Sequence, residues 1–120
     1  MIIGTGLDVV ELDRIVNLIH HDKFISRILT PTEINLYIKR TDKRKTEFLA
    51  GRFAAKEAYA KAKGTGIGKN LSWQDIEIVN DMQGKPILND RMNQEQVIHL
   101  SITHTRTTAA AFVIIESLSS

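Results

Sequence analysis

The sequence predicts an α+β fold in which helices come mostly first and antiparallel strands mostly later. A segment rich in alanine, lysine and glutamate, at 44–63, is typical of a long helix. Two pairs of short, β-branched segments follow it, each pair joined by a short connection. With 120 residues, 42% hydrophobic and 25% charged, the chain fits one globular domain, which we expect to span residues 1–120.

The amino-terminal part of the chain predicts one strand and two helices. Residues 2–10 are β-branched and punctuated by glycine, and they predict a strand with Asp8 near its end. Apolar residues recur at helical spacing over 11–21, so we expect the first helix there. Thr30-Pro31-Thr32-Glu33 combines a capping threonine, a first-turn proline and a capping-box glutamate, and predicts a second helix to about residue 40.

The rest of the chain predicts one long helix and four strands. Residues 44–63 predict the long helix, which Gly64 ends, and a glycine-rich loop follows it. Residues 75–80 and 85–89 predict a β-hairpin around Gly84. Residues 97–104 and 109–116 predict a second strand pair. We therefore expect an antiparallel sheet with a long central helix and shorter helices.

Composition and motifs exclude several functions. The absence of cysteine excludes disulfides, thiolate metal sites and a cysteine nucleophile. The four histidines lack the spacing of a helical zinc pair, and no GxSxG motif supports a serine hydrolase. The glycine loop is not a phosphate-binding P-loop, because Asn70 stands where serine or threonine is needed. Without a signal peptide or an apolar run of about 20 residues, we expect a cytoplasmic protein that does not enter the membrane.

Basic residues concentrate in the middle of the chain. Residues 39–69 contain ten lysines and arginines against three acidic residues, whereas acidic residues predominate in the remainder. Lys45, Arg52, Lys56 and Lys63 are spaced to form one stripe along the long helix. This asymmetry favours an anionic partner, and a solvated helix face is the alternative.

Two carboxylates are candidates for chemistry. Glu57 has alanine neighbours that would let the helix pack closely and draw its carboxylate toward the interior, where it needs a partner. Lys61, at i+4, is one candidate partner. A hard cation such as Mg²⁺ is the other, and Asp8 would be its natural second ligand. The spacing leaves both interpretations open.

Several motifs together resemble one enzyme family. Gly6-Leu7-Asp8 followed by FAAKEAYAK at 53–61 is similar to the two-part signature of the 4′-phosphopantetheinyl transferases, G-x-D and aromatic-x-x-K-E-A-x-x-K. GKP at 84–86 and SITHT at 101–105 extend the resemblance to the short bacterial type, the holo-acyl-carrier-protein synthases. It covers about residues 1–116. Phe53 stands where longer relatives often carry tryptophan, and Gln83 where the turn often has asparagine.

The resemblance implies a fold, a reaction and site residues. The fold is that of the 4′-phosphopantetheinyl transferases, and the reaction moves the phosphopantetheine arm of coenzyme A to a serine of apo acyl carrier protein. Asp8 and Glu57 are implied to bind Mg²⁺ and, with Lys61, to be the catalytic residues. A larger set is expected to contact coenzyme A: Lys43, Arg44, Lys45, Arg52, Lys56, Gly84, Pro86 and His104.

The resemblance also implies macromolecular partners. An acidic carrier protein needs a basic, partly apolar docking face, which the first helix and the segment that follows it supply. The residues expected there are Arg14, Leu18, His21, Lys23, Phe24 and Arg27. Family members of this length form trimers with active sites between subunits, so we expect a homotrimer.

Two other functions remain as alternatives. One is a small basic module that binds RNA, and the other is a structural trimer without chemistry. Aromatic residues make up only 6% of the chain, and no aromatic–basic strand motif of an RNA-binding fold is present. An RNA-binding module would also leave Asp8 and Glu57 unexplained, since carboxylates repel phosphates. We therefore expect no nucleic-acid partner.

Overall fold

A computed structural model describes residues 1–118 and confirms the α+β class. Helices occupy most of the first half of the chain and strands most of the second. The elements in chain order are β1 (Ile2–Glu11), α1 (Leu12–Val16), α2 (Asp22–Ile28), α3 (Pro31–Tyr37), α4 (Asp42–Lys63), a 3₁₀ turn (Trp73–Asp75), β2 (Ile76–Asn80), β3 (Pro86–Asp90), β4 (Gln96–His104) and β5 (Thr108–Ser117).

The strands form two separate antiparallel units. β5 lies between β1 and β4 in a three-stranded sheet, whereas β2 and β3 form a two-stranded hairpin. In the larger sheet Asp8 is paired with Ala111, and Leu100 with Val113. Both predicted strand pairs are confirmed. The addition of β1 to the carboxy-terminal pair is a long-range contact that local patterns do not specify.

α4 covers one face of the three-stranded sheet. Its alanines at 54, 55 and 58 are fully buried, as is Val113 on the facing side of β5. The opposite face of the sheet is apolar but exposed: Leu7 is 57% exposed, Val9 56% and Phe112 43%. Among the helices of residues 1–118, none combines the length and apolar character needed to cross a membrane.

β1 and α4 are in direct backbone contact. A Cβ atom added at Gly6 would lie 1.9 Å from the carbonyl oxygen of Ala58, and one added at Gly4 would lie 2.1 Å from that of Ala62. Only glycine permits this approach, because any side chain would overlap the helix backbone. The contact brings the end of β1, with Asp8, to the part of α4 that carries Glu57.

Helix boundaries agree best with the sequence where a local cap exists. Thr30 Oγ1 accepts the backbone N–H of Glu33, and Glu33 Oε1 accepts that of Thr30, which is the expected capping box. α3 nevertheless ends at Tyr37 rather than near residue 40. α4 begins two residues earlier than predicted and ends, as expected, at Gly64, whose φ is 79°.

The prediction of one helix over 11–21 is wrong. α1 ends at Val16, a turn follows, and α2 is a separate helix. The hydroxyl of Tyr37 donates to the carbonyl oxygen of Ile19 at 2.7 Å, so this carbonyl is bonded across the fold. Ile15 and Ile19 are both buried, which explains why their spacing resembled that of a longer helix.

We expect Gly6→Ala to destabilise the protein strongly, because the new methyl group must displace the backbone of α4. The free energy of unfolding should fall by about 3 kcal/mol or more, at the upper end of overpacking effects. Urea denaturation measures the change. Gly68→Ala is the control, since a Cβ there meets nothing within 4 Å. Equal stability of the Gly6→Ala and Gly68→Ala proteins would contradict this account.

Candidate active site

The charged side chains of the motif meet where β1 passes over α4, at Asp8, Glu57 and Lys61. Lys61 Nζ lies 3.0 Å from Asp8 Oδ1 and also donates to the carbonyl oxygen of Leu7 at 3.0 Å. Glu57 lies one helical turn before Lys61. The ion pair of Lys61 therefore joins helix to strand, rather than following the i,i+4 alternative with Glu57.

Glu57 is held in an environment that disfavours its negative charge. Partial burial raises the pKa of Glu57 above its ordinary value, and the nearby charge of Asp8 raises it further. Lys61 acts in the opposite direction but does not cancel these two effects. Two carboxylates that repel each other form a site that a cation would stabilise.

The donor set at this site fits a magnesium ion. Mg²⁺ takes oxygen ligands, usually one or two carboxylates, and completes its shell with water and substrate phosphates. Asp8 and Glu57 supply two carboxylates. Within residues 1–118 no group of three or more His, Asp or Glu side chains is arranged to hold a metal. Two carboxylates would leave the remaining positions of such an ion to water and substrate phosphate oxygens.

Residues distant in sequence converge on a basic cleft between α4, the β2–β3 hairpin and the end of β4. Its volume is about 240 Å³. Residues expected to contact coenzyme A that line it are Arg44, Arg52, Gly84, Pro86 and His104. A neighbouring pocket of about 720 Å³ is lined by Lys43 and shares His104 with the cleft. The structure thus brings six of the eight expected residues to one side of the molecule.

A family model of the 4′-phosphopantetheinyl transferase superfamily matches residues 4–114. The chain belongs to this superfamily.

Curated relatives and solved structures agree with that assignment. The transferase is 58% identical to the holo-[acyl-carrier-protein] synthase of Geobacillus sp. strain WCH70, over 99% of this chain and 100% of the relative. It is 54% identical to that of Bacillus subtilis strain 168, with both chains fully covered. A crystal structure of the Bacillus anthracis holo-(acyl-carrier-protein) synthase in complex with CoA (3′,5′-ADP) is 53% identical, covers 98% of each chain and superposes with a TM-score of 0.91.

A more distant structure has the same fold. The holo-[acyl-carrier-protein] synthase of Neisseria meningitidis is 37% identical and superposes with a TM-score of 0.87. The match covers 98% of this chain and 100% of the other. The expected transferase fold is therefore confirmed over nearly the whole chain.

The structure corrects the expectation that Lys56 contacts coenzyme A. Its side chain is fully buried, and Nζ lies 2.7 Å from Glu33 Oε1. Nζ also donates to the carbonyl oxygens of Ile28 at 2.7 Å and Trp73 at 3.1 Å. Burial lowers the pKa of Lys56, and Glu33 opposes that effect. In the transferase Lys56 is thus an internal anchor of α4.

The basic stripe expected along α4 is not a solvated surface. Arg52 is 7% exposed, donates to the carbonyl oxygen of Ile78 at 3.2 Å and lies 4.0 Å from the ring centroid of Phe48. Burial lowers the pKa of Arg52 to about 10. Lys63 pairs with the buried Asp90, and Lys45 lies over the ring of Tyr37. The stripe points largely into the fold because α4 is packed on more than one side.

The expected carrier docking residues are divided between two short helices. Arg14 is exposed on α1, but Leu18 lies in the turn after it, so the two do not share a helical face as predicted. Phe24 and Arg27 both belong to α2, where Arg27 is exposed and Phe24 is half-buried against Phe53. The exposed residues His21 and Lys23 lie at the start of that helix.

Several residues that shape the site are not predicted from the sequence. Glu47 lines both pockets and lies 3.4 Å from His104, and Phe48 provides the aromatic wall of the basic cleft. Glu33 was identified only as a capping residue, although it is also the partner of Lys56. No local signal reveals these contacts, since each joins elements far apart in sequence.

We expect Lys56→Met to destabilise the transferase by about 3–5 kcal/mol, because it leaves the buried carboxylate of Glu33 without its counter-charge. Adding Glu33→Gln should recover part of the loss, since the neutral amide oxygen can still accept a backbone N–H. Urea denaturation measures both effects, with Lys69→Met in the exposed loop as the control. A Lys56→Met protein as stable as this control would overturn the assignment.

Proposed function

We propose that this transferase moves the 4′-phosphopantetheine group of coenzyme A to a serine of apo acyl carrier protein, releasing adenosine 3′,5′-bisphosphate. The observation that carries this proposal is the meeting of Asp8, Glu57 and Lys61 where β1 passes over α4. The basic cleft on the same molecule supports it. The names of its relatives, and the CoA complex of the Bacillus anthracis protein, support the same reaction.

The reaction is a phosphoryl transfer. The serine oxygen bonds to the phosphorus that carries pantetheine, and the bond from that phosphorus to the oxygen of the departing adenosine bisphosphate breaks. The serine proton passes to solvent water. Such reactions depend on alignment and charge neutralisation more than on covalent catalysis. We assign the binding of Mg²⁺ to Asp8 and Glu57. When bound, the ion would neutralise pyrophosphate charge and lower the pKa of its bound water.

Lys61 is proposed to stabilise charge on the transferring phosphoryl group. Its ammonium group is half exposed and is held at the site by Asp8 and the carbonyl oxygen of Leu7. A positive charge fixed beside two carboxylates can contact a phosphate that approaches them from solvent. Its effect should be greatest when negative charge is redistributed in the transition state.

The basic cleft is proposed to hold the nucleotide end of coenzyme A. Arg44 and His104 present cationic or hydrogen-bonding groups, the buried Arg52 lines the cleft beneath them, and Lys43 lies in the adjoining pocket. Arginine suits phosphate because its planar group donates two parallel hydrogen bonds. The turn before Pro86 is opened by Gly84, whose φ of 85° few other residues adopt.

We also propose how the transferase assembles and where it binds the carrier protein. The exposed apolar face formed by Leu7, Val9 and Phe112 supports self-association, which we propose is a homotrimer with active sites between subunits. Exposed Arg14 and Arg27 support docking of an acidic carrier. We propose that the whole chain, residues 1–120, is one transferase domain acting in the cytoplasm.

We expect Asp8→Asn and Glu57→Gln each to reduce transfer by about 100-fold or more, because loss of a metal ligand removes several kcal/mol of transition-state stabilisation. Purified protein is incubated with coenzyme A, Mg²⁺ and apo carrier, and mass spectrometry measures the phosphopantetheine added to the carrier. Glu11→Gln, an exposed carboxylate on the same strand, is the control and should retain activity.

The same assay separates this proposal from its rivals. An RNA-binding module or a structural trimer would leave the mass of the carrier unchanged. Near wild-type activity of folded Asp8→Asn or Glu57→Gln protein at limiting Mg²⁺ would refute the two-carboxylate site. Circular dichroism checks that both proteins are folded.

We expect Arg14→Glu, alone or with Arg27→Glu, to raise the KM for carrier protein and leave coenzyme A binding nearly unchanged. Surface charges act mainly on the rate of encounter, and salt screens them. Steady-state kinetics at increasing ionic strength should show the wild-type carrier KM rising more steeply than that of the variants. Lys69→Glu is the matched charge reversal outside the docking face. Carrier kinetics that do not depend on salt would contradict this docking mode.

A further inference from the structure

The carboxy-terminal end of α2 is secured by side chains from other parts of the fold. α2 has only seven residues, and its N-cap residue, His21, makes no side-chain capping bond. A helix this short is unstable alone, and its last carbonyl groups lack partners within the helix. Its position therefore depends on outside contacts.

One glutamine supplies most of these contacts. Gln74 Nε2 donates to the carbonyl oxygens of Ser26 and Leu29, both at 2.9 Å, and approaches that of Arg27 at 3.3 Å. The carbonyl oxygen between them, on Ile28, accepts from Lys56 Nζ at 2.7 Å. Four consecutive carbonyl groups are thus bound by two side chains. An amide has two N–H groups, so the longest of its three contacts shares a hydrogen.

Aromatic packing secures the same helix from its side. The ring of Phe24, on α2, stacks on Phe53 of α4 with centroids 6.4 Å apart. Phe53 in turn stacks on Trp73 at 5.1 Å. Trp73 directly precedes Gln74, and its carbonyl oxygen accepts from Lys56 Nζ at 3.1 Å. The 3₁₀ turn and α4 therefore both hold α2 in position.

These contacts connect the expected docking helix to the catalytic helix. Lys56 directly precedes Glu57, so the residue that binds the end of α2 also fixes the turn of α4 that presents Glu57. Arg27 lies in the stretch of backbone that Gln74 holds, and its own side chain is exposed. A carrier bound through Arg27 would thus be set at a constant position relative to Glu57.

We propose that Gln74 is a positioning residue for the carrier protein: its amide holds α2 in the orientation that places the carrier serine at the active site. This inference rests on the proposed function and docking face. A neutral amide suits the role because it satisfies carbonyl groups without adding charge beside Arg27.

The proposed role of Gln74 concerns the carrier protein and not coenzyme A. The basic cleft is lined by residues of α4, the β2–β3 hairpin and β4, and α2 contributes none of its lining residues. Loosening α2 should therefore affect the carrier and spare coenzyme A. Since each hydrogen bond contributes modestly to stability, we expect the carrier KM to rise by about 3- to 10-fold when the amide is lost.

The experiment compares Gln74→Met and Gln74→Glu with wild type. Methionine removes both donors at similar length, and glutamate replaces them with a carboxylate that the carbonyl groups repel. Gln94→Met and Gln94→Glu make the same changes at an exposed glutamine. Initial rates of the full chain with Mg²⁺ give KM for carrier and for coenzyme A, and hydrogen–deuterium exchange reports on residues 22–29 without requiring activity.

In both Gln74 variants we expect faster exchange over 22–29, a higher carrier KM and an unchanged coenzyme A KM, with both Gln94 variants like wild type. Faster exchange with an unchanged carrier KM would overturn the positioning role, and so would unchanged exchange or equal effects on both substrates. A variant that unfolds the whole chain would also overturn it, because the amide is proposed to hold α2 alone. Failure of wild type to modify any carrier would refute the proposed function instead.

Discussion

The direct contact between the backbones of β1 and α4 is the constraint on which the site depends. Gly4 and Gly6 leave no side chain between strand and helix, so the carbonyl groups of Ala58 and Ala62 lie against the strand itself. A larger residue at either position would push the strand outward and carry Asp8 away from Glu57. The three residues of the G-x-D motif therefore combine a glycine that close packing requires with an aspartate proposed to bind the metal.

A second consequence follows from the rotation of α4. Successive residues of a helix point about 100° apart, so Lys56 and Glu57 face different surroundings although they are neighbours. Lys56 is anchored in the interior by Glu33, while Glu57 is only partly buried and lies near Asp8. A buried ion pair is costly unless it is fully hydrogen-bonded, and Glu33 meets this condition through the N–H groups of Thr30 and Ile78. The buried pair thus sets the orientation of the face of α4 that carries Glu57.

The sequence was informative where structure is local. The capping box at Thr30, the end of α4 at Gly64 and the hairpin around Gly84 depend on neighbours in the chain, and all three are observed. The turn that separates α1 from α2 was not predictable, and within it the carbonyl oxygen of Ile19 is bonded to Tyr37 of α3. In the same way, the sequence alone suggests that Lys56 is exposed on a basic helix, because no local pattern shows that α3 places Glu33 beside it. The family motif identified Asp8, Glu57 and Lys61, but not the ion pair of Lys61 with Asp8.

The aromatic stack beneath α2 has a practical consequence. Trp73 is the only tryptophan of the chain, and it lies against Phe53, which is itself stacked on Phe24. Indole emission is sensitive to the polarity and packing around the ring, so the intrinsic fluorescence of the protein comes mainly from this one place. The molecule therefore contains its own optical probe, and that probe sits beside the helix to which a carrier protein would bind.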